Sequence, residues 1–402
     1  MLDQGNQGGA GARRDLSLNI VVALMSVVGT GVSYVIPYYL LGLQSSYHLP
    51  VGQLGFIPGS ENLCIGIGCI LTGFLLRKAH ARAVLIAAAL CVLGDLLSLS
   101  ARDFVSIFAV RSIVGLVGEG PLYAISYMVV GAALNPDRTL GVAMTALGVF
   151  GAGILMFADP LAQVAGPAAV LLPFAAAGVA LVWLVWRDVA IVRVRPAADP
   201  RPETRHTGRI DMNALAIIAS VVLLTGLVCA MSAFTGTAAQ ASGVHPADIG
   251  QVLSIGLILG LVGSVVPAII GNRFGRLLPV ALCSLGLIVA CMLLVSGGGV
   301  VSVAAAAMII QFSWGMNAVY QLSGLVSHDT TGRYATLGAV AQMAGMAVGP
   351  PVLGAFIAAF GYSNLPLLAA GVCVPGLALF ILGSTGRFTR LGPHLAAALP
   401  ES

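Results

Sequence analysis

The stretch RSIVGLVGEG at residues 111–120 carries two full charges inside a run that is otherwise apolar enough to cross a membrane. The apolar run begins near residue 104 and ends near residue 132. An arginine at the centre of such a span costs at least about 2.5–3.5 kcal/mol on insertion scales. Arg111 therefore predicts a charged partner or a hydrated cavity, and Glu119 raises the same requirement.

The composition of the whole chain indicates whether the protein is soluble or embedded in a membrane. Hydrophobic residues make up 58% of the 402 residues and charged residues 8%, whereas soluble domains contain about 25% charged residues. Such a chain has too few polar side chains to cover a soluble surface. We therefore predict an integral membrane protein, and the absence of any large polar segment excludes a soluble-domain function.

Apolar runs of membrane-spanning length recur along the chain. A helix needs about 20 apolar residues to cross roughly 30 Å of hydrocarbon. Twelve runs meet this requirement, so the predicted fold class is all-α with twelve transmembrane helices. The predicted spans cover residues 18–42, 52–76, 83–100, 104–132, 139–160, 164–186, 213–240, 249–271, 277–297, 300–326, 335–359 and 364–385.

The basic residues test that topology independently. Seventeen of the 19 Lys and Arg residues fall on one side of the predicted membrane, Arg102 falls on the other, and Arg111 lies within a span. Cytoplasmic loops are enriched in Lys and Arg. This placement predicts a multi-pass protein of the cell inner membrane with both termini in the cytoplasm. The net charge of +4 is then an orientation signal with some attraction to membrane lipid, and it does not indicate nucleic-acid binding.

Short sequence repeats divide the chain into two similar halves. The segment ALCVLG (89–94) is matched by ALCSLG (281–286), and VGQLG (51–55) by IGQVL (249–253). Both pairs have nearly the same offset, which indicates an internal duplication of six helices, a recurrent plan of secondary transporters. The predicted parts are a disordered cytoplasmic tail (1–17), an N-terminal half (18–186), a cytoplasmic central loop (187–212), a C-terminal half (213–385) and a cytoplasmic tail (386–402).

Three further segments resemble motifs of the major facilitator superfamily. RSIVGLVG matches its fourth-helix pattern, AIIGNRFGR (268–276) its loop motif, and GFLLRKAHAR (73–82) the same motif with Arg77 where an acid is usual. The resemblance implies a secondary transporter that has two pseudo-symmetric halves and functions as a monomer without a cofactor. It also implies gating loops, which would contain Arg77, Lys78, Asp137, Arg138, Asn272 and Arg273.

The same resemblance implies that the first, fourth, seventh and tenth helices surround a central cavity. The polar residues of these predicted helices agree with that expectation, since the tenth helix is richer in amides and aromatics than a lipid-facing helix should be. Ordinary helix packing is the alternative role for each aromatic or amide residue. The candidate substrate-binding residues are Arg111, Tyr34, Tyr38, Gln311, Trp314, Asn317 and Tyr320.

Three acidic residues in the spans are candidates for proton coupling. Glu61 and Arg111 lie about 14 and 11 Å from the outer ends of their spans at 1.5 Å per residue, and Glu119 lies about 12 Å deeper than Arg111. We therefore expect Arg111 either to bind substrate or to form a structural ion pair with Glu61 or Glu119. Asp95 is nearer the outer surface, where solvation at a helix end would also explain it. Because arginine stays protonated, only a carboxyl group can carry the proton.

Two transport functions follow from these residues. The first is secondary active transport of a small organic anion bound by Arg111, coupled to protons as a symport. The alternative is a proton-driven efflux antiporter for lipophilic or cationic compounds. Clustered His or Ser–Lys residues expected of a membrane enzyme do not occur in the predicted spans, and neither a metal site nor a nucleotide-binding loop is recognisable. A receptor or scaffold would not need the buried charges.

Overall fold

The computed structural model describes residues 4–76, 80–131, 133, 135–192, 211–326 and 333–386. All regular structure in these residues is helical, which confirms the predicted all-α class. Twelve helices among them are long and apolar enough to cross a membrane. The predicted number of spans is therefore confirmed.

Three of the first six spanning helices are interrupted, whereas the last six are continuous. The first set comprises α1 (Gln4–Thr30 and Val32–Tyr47), α2 (Val51–Leu54 and Phe56–Leu75), α3 (Ala81–Ser98), α4 (Phe104–Val114, Gly115–Glu119 and Gly120–Gly131), α5 (Pro136–Met156) and α6 (Leu172–Arg187). The second set comprises α7 (Met212–Ala241), α8 (Pro246–Ile270), α9 (Leu277–Val295), α10 (Gly299–Val326), α11 (Arg333–Phe360) and α12 (Leu365–Ser384). Shorter helical segments are Ala158–Ala165, Pro167–Leu171, Val189–Val192 and Tyr362–Asn364.

Helix α1 begins earlier than the sequence predicts. It starts at Gln4, so residues 4–17, predicted to form a disordered tail, are helical in the structure. Extending an existing helix costs little, because each added residue gains a backbone hydrogen bond. Residues 193–210 of the predicted central loop and residues 387–402 of the predicted C-terminal tail lie outside the described residues.

The chain forms two compact units. Unit 1 contains Met1–Leu49 and Ser60–Arg201, and unit 2 contains Pro50–Gly59 and Pro202–Ser402. The division at residue 201 falls inside the predicted central loop. The start of α2 belongs to unit 2 because it packs closely on α11: a Cβ atom added at Gly59 would lie 2.6 Å from Cγ of Pro351.

Glycines allow α2, α3 and α4 to approach one another within unit 1. A Cβ atom at Gly115 would lie 2.8 Å from the Glu61 carbonyl oxygen, and one at Gly118 would lie 2.7 Å from Sγ of Cys91. Small residues at such crossings let helix backbones come close in the absence of a hydrophobic driving force. Close packing of these three helices brings the acidic residues of α2 and α3 towards Arg111 of α4.

Glycines also connect the helices of unit 2. A Cβ atom at Gly345 of α11 would lie 2.6 Å from the Val222 carbonyl oxygen of α7. Between α8 and α10, a Cβ atom at Gly256 would lie 2.7 Å from Cβ of Ala307. The two units therefore share one packing chemistry, although their buried polar residues differ.

Candidate functional site

Helix α4 is not a regular α-helix through the stretch that contains Arg111 and Glu119. Residues Gly115–Glu119 form one π-helical segment between two α-helical parts. Eight residues of regular α-helix turn about 800°, which would leave Glu119 about 80° away from Arg111 around the helix axis. A π turn contains more residues and reduces that rotation, so Glu119 returns towards the side of Arg111. Such π segments occur frequently at functional sites.

Arg111 lies at the centre of a buried ion cluster in unit 1. Its Nη1 donates to Oδ1 of Asp95 at 2.9 Å, and its Nη2 donates to Oε1 of Glu119 at 2.6 Å. The same Nη2 also donates to Oε1 of Glu61. Arg111 is 0% exposed, and Glu61, Asp95 and Glu119 are each at most 4% exposed. We call these four residues the Arg111 cluster.

The three candidate proton-coupling residues thus belong to one site. Glu61 is positioned by α2, Asp95 by α3 and Glu119 by the π segment of α4. The sequence left open whether Arg111 pairs with Glu61 or Glu119, and the structure shows contacts to both. Asp95, for which solvation at a helix end was the alternative, is buried and bonded to Arg111.

The Arg111 cluster contains more negative than positive groups. Three carboxyl groups contact one guanidinium, and these four are the only charged residues that are buried among the described side chains. Oε1 of Glu61 and Oε1 of Glu119 accept from the same Nη2 of Arg111, so the two carboxyl groups lie close together. Oε2 of each glutamate and Nε of Arg111 have no partner within the described part of the chain.

The two candidate tyrosines of α1 lie in different surroundings. The Tyr38 hydroxyl donates to Oδ1 of Asp159 at 3.4 Å. Tyr34 interacts electrostatically with Tyr127 of α4. Tyr127 in turn lies edge-on to Tyr123, with ring centroids 4.9 Å apart and hydroxyl oxygens 3.2 Å apart. Tyr123 and Tyr127 were not identified from the sequence, although their i, i+4 spacing on a predicted cavity helix was a usable signal.

The four candidates of α10 are divided between buried and partly exposed positions. Asn317 is 3% exposed, and neither atom of its amide has a partner in the described residues. Tyr320 is also buried, and its hydroxyl donates to the Gly271 carbonyl oxygen at 2.8 Å. Gln311 and Trp314 are partly exposed, and Gln311 packs against Gly260 of α8.

The predicted gating residues are only partly covered by the structure. Arg77 and Lys78 lie outside the described residues, and Asp137 is described only as part of the α5 backbone. Arg138 is exposed near the start of α5. Asn272 and Arg273 are exposed in the turn after α8, where Gly271 and Gly275 have positive φ.

Comparison with known families and structures identifies the class of protein. The model of the Major Facilitator Superfamily matches residues 21–343. The chain therefore belongs to the Major Facilitator Superfamily, a family of transporters, which confirms the resemblance seen in its motifs. No curated protein matches the chain at a significant level.

Two solved transporters show the same fold. The nucleoside transporter NupG has a TM-score of 0.72 at 12% sequence identity. The match covers 92% of this chain and 98% of the NupG chain. A bacterial homologue of the human lysosomal transporter Spinster, in an inward-facing and unoccupied conformation, has a TM-score of 0.67 at 11% identity, covering 93% and 97%. At these identities the similarity concerns the fold.

Proposed function

We propose that this protein is a proton-coupled secondary active transporter that moves a small organic solute across the membrane by alternating access. The observation that carries the proposal is the Arg111 cluster, in which one buried arginine contacts three buried carboxyl groups. The transporter class rests on the family, and the proton coupling rests on this cluster.

The charge of the cluster is the argument for a proton. With all three carboxyl groups ionised, two negative charges would have no positive partner in a medium of low permittivity. Uncompensated buried charges are among the most costly features of a protein interior, and protonation removes the cost. Because the arginine keeps its charge, the carboxyl groups must take up and release the proton.

The geometry also bears on the substrate. Arg111 is completely buried and already contacts three carboxyl groups, so it presents no free positive charge to an anion. This favours an uncharged or cationic solute, and the proton-driven antiporter for lipophilic or cationic compounds is the form of the proposal that agrees best. The aromatic side chains of Tyr34 and Tyr127 in unit 1 suit such a solute.

A proton symporter for a small organic anion is the second candidate. The specific observation that favours it is Nε of Arg111, which has no partner among the described residues and could donate to an anion. This candidate requires that the guanidinium exchange a carboxyl partner for the substrate.

The location follows from the distribution of charge. We propose a multi-pass protein of the cell inner membrane with both termini in the cytoplasm, because seventeen of the 19 basic residues fall on one side of the spans. We further propose that one chain suffices for transport, since it contains both six-helix halves.

The decisive experiment measures ligand-dependent melting of the purified protein. Nucleosides, lipophilic cations and small organic anions would be added to wild type and to Arg111→Gln at about pH 5.5 and about pH 8, the range in which most proteins are stable. A compound that binds the folded state raises the melting temperature by mass action. Arg102→Gln, at an exposed arginine, is the matched control.

The outcomes separate the candidates. Stabilisation by a cationic or uncharged compound that persists in Arg111→Gln supports the favoured form, and stabilisation by anions that is lost in that variant supports the second candidate. The stabilising compound would then be tested in proteoliposomes with and without an imposed pH gradient. Proton coupling would be contradicted if accumulation of the compound did not depend on the pH gradient and was equal in Glu119→Gln and wild type.

A further inference from the structure

Four buried polar atoms around the Arg111 cluster have no hydrogen-bond partner in the described part of the chain. They are Oη of Tyr39, Nε of Arg111, and Oε2 of both Glu61 and Glu119. Their residues belong to α1, α2 and α4 of unit 1, and none is more than 4% exposed. Buried polar atoms in native proteins are almost always hydrogen-bonded to protein or to ordered water.

The chemistry of the four atoms is complementary to that of one water molecule. Nε of Arg111 and Oη of Tyr39 are donors, whereas the two Oε2 atoms are acceptors. A water molecule accepts two hydrogen bonds and donates two. A proton shared between Glu61 and Glu119 would satisfy the glutamates, but it would leave both donors without an acceptor. Buried waters typically make two to four hydrogen bonds to such groups.

We propose that an ordered water molecule occupies the Arg111 cluster, bridging these four atoms, and that Tyr39 positions it for proton transfer to the glutamates. The inference rests on the proposed function and adds a binding site and a positioning residue to it. The sequence does not predict a role for Tyr39, although it predicts one for Tyr34 and Tyr38 of the same helix.

The surroundings of Tyr39 support its place in the cluster. It is 0% exposed and interacts electrostatically with Arg111, Glu61 and Asp95. Tyr38, one residue earlier, instead contacts Asp159, because successive residues of a helix point about 100° apart. Besides its own four members, the titratable groups that face the cluster are Tyr39, Cys64 and Cys91, and Tyr47 lies near Tyr39.

The proposed transfer is balanced without another reactant. The hydrogen bond from Nε of Arg111 to the water is released, an incoming proton binds the freed lone pair of the water, and the water passes one of its protons to Oε2 of Glu119 or Glu61. One O–H bond forms and one breaks at the water, and the carboxylate becomes a neutral carboxylic acid. Tyr39 keeps its own proton throughout, since its role is to donate the hydrogen bond that orients the water.

The test follows proton uptake by the purified full-length protein after a rapid drop in pH, with a pH-sensitive dye as the reporter and the proton as the ligand. Tyr39→Phe removes only the hydroxyl group. The control is Ser220→Ala, which removes a buried hydroxyl group of unit 2 that donates to the Gly376 carbonyl oxygen. We expect Tyr39→Phe to bind as many protons as wild type but about tenfold more slowly, because one hydrogen bond to the water is lost. Ser220→Ala should keep the wild-type rate.

The outcomes distinguish this inference from the proposed function. Wild-type uptake kinetics in Tyr39→Phe would overturn the role of Tyr39 and of the bridging water. Unchanged proton binding in Glu119→Gln would instead overturn the cluster as the proton site. If Tyr39→Phe does not fold, an experimental structure of the wild type that resolves ordered water decides the question: density between these four atoms supports the site, and their direct contact without density overturns it.

Discussion

The two units bury different kinds of polar side chain. Unit 1 buries Arg111 together with Glu61, Asp95 and Glu119, and every one of these residues contacts another member of the cluster. The buried polar residues of unit 2 are uncharged as far as its side chains are described. There the amides of Asn317 and Gln321, one helical turn apart on α10, have no partner in the described residues.

The difference reflects the free energy of burial. A buried charge without a counter-charge is far more costly than an unpaired amide, so charges are retained only with partners or protons. A neutral amide left unpaired costs about 1–3 kcal/mol, an amount that a protein of this size tolerates at a few positions. In the proposed function, unit 1 therefore exchanges protons, whereas the unpaired amides of unit 2 offer hydrogen bonds.

The largest predicted effect comes from removing the central charge of unit 1. Arg111→Leu leaves three buried carboxyl groups without their cation, and breaking a buried ion pair from one side costs about 3–5 kcal/mol. We expect a large loss of folded protein, measured by size-exclusion chromatography and melting in detergent. Arg102→Leu should behave like wild type. Adding Asp95→Asn and Glu119→Gln to Arg111→Leu should restore part of the stability, and no restoration would show that charge is not the cause.

The next effect tests the glycine packing that the units share. Gly349→Ala in α11 places a Cβ atom 2.6 Å from the carbonyl carbon of Gly226, so α7 and α11 must separate. Overpacking of this kind costs about 1–3 kcal/mol. Gly371→Ala in α12 is the control, because nothing lies within 4 Å of its added Cβ atom. Equal melting temperatures for the two variants would contradict the close contact.

A smaller predicted effect is a gain in stability, and it distinguishes the two units most directly. Gln321→Leu replaces a fully buried, unpaired amide by an apolar group of similar size, and we expect a gain of about 1 kcal/mol in the free energy of unfolding. Glu119→Leu makes the same kind of exchange in unit 1 and should destabilise it, since Arg111 loses a partner. Chemical unfolding in mixed micelles measures both. A loss of stability in Gln321→Leu would reveal an unobserved partner of the amide.

The smallest effect lies outside the membrane, at the start of α4. Asp103 caps this helix, and hydrogen bonds from the Ser106 hydroxyl and then from the Ser106 backbone N–H lower the pKa of its carboxyl group. A lowered pKa in the folded state means that the cap stabilises above the unfolded pKa of about 3.9 and loses its effect as the pH falls through the folded value. Asp103→Ala should therefore melt slightly below wild type at about pH 7, and this difference should shrink as the pH falls below the unfolded pKa of about 3.9. A difference that does not change with pH would exclude this cause.

The sequence was sufficient to predict the architecture. Twelve apolar runs, the basic residues between them and the loop motifs predicted the spans and the family, because both depend on composition and local pattern. It also indicated that Arg111 needs an acidic partner, since the cost of a charge in a membrane does not depend on the details of packing.

The same reasoning failed where helices meet or deviate from regular geometry. Regular α-helical spacing placed Glu119 about 12 Å from Arg111 along the axis, but the long side chains and the π segment bring their charged atoms to 2.6 Å. Asp95 was estimated to lie near the outer surface, yet α3 packs closely enough on α4 for a direct ion pair. Tyr39 carried no signal that separated it from Tyr38.

The sequence by itself determined that this chain is a twelve-span transporter of the Major Facilitator Superfamily with charges that require compensation. Only the tertiary structure decided which residues compensate them, namely Glu61, Asp95 and Glu119 around Arg111. The physical reason is that hydrophobicity and the number of charges are sums over the residues of the chain, and these sums can be read directly from the sequence. An ion pair depends on distances of a few ångströms between separate helices, and these are fixed by glycine contacts and helix irregularities that become visible only in the folded protein.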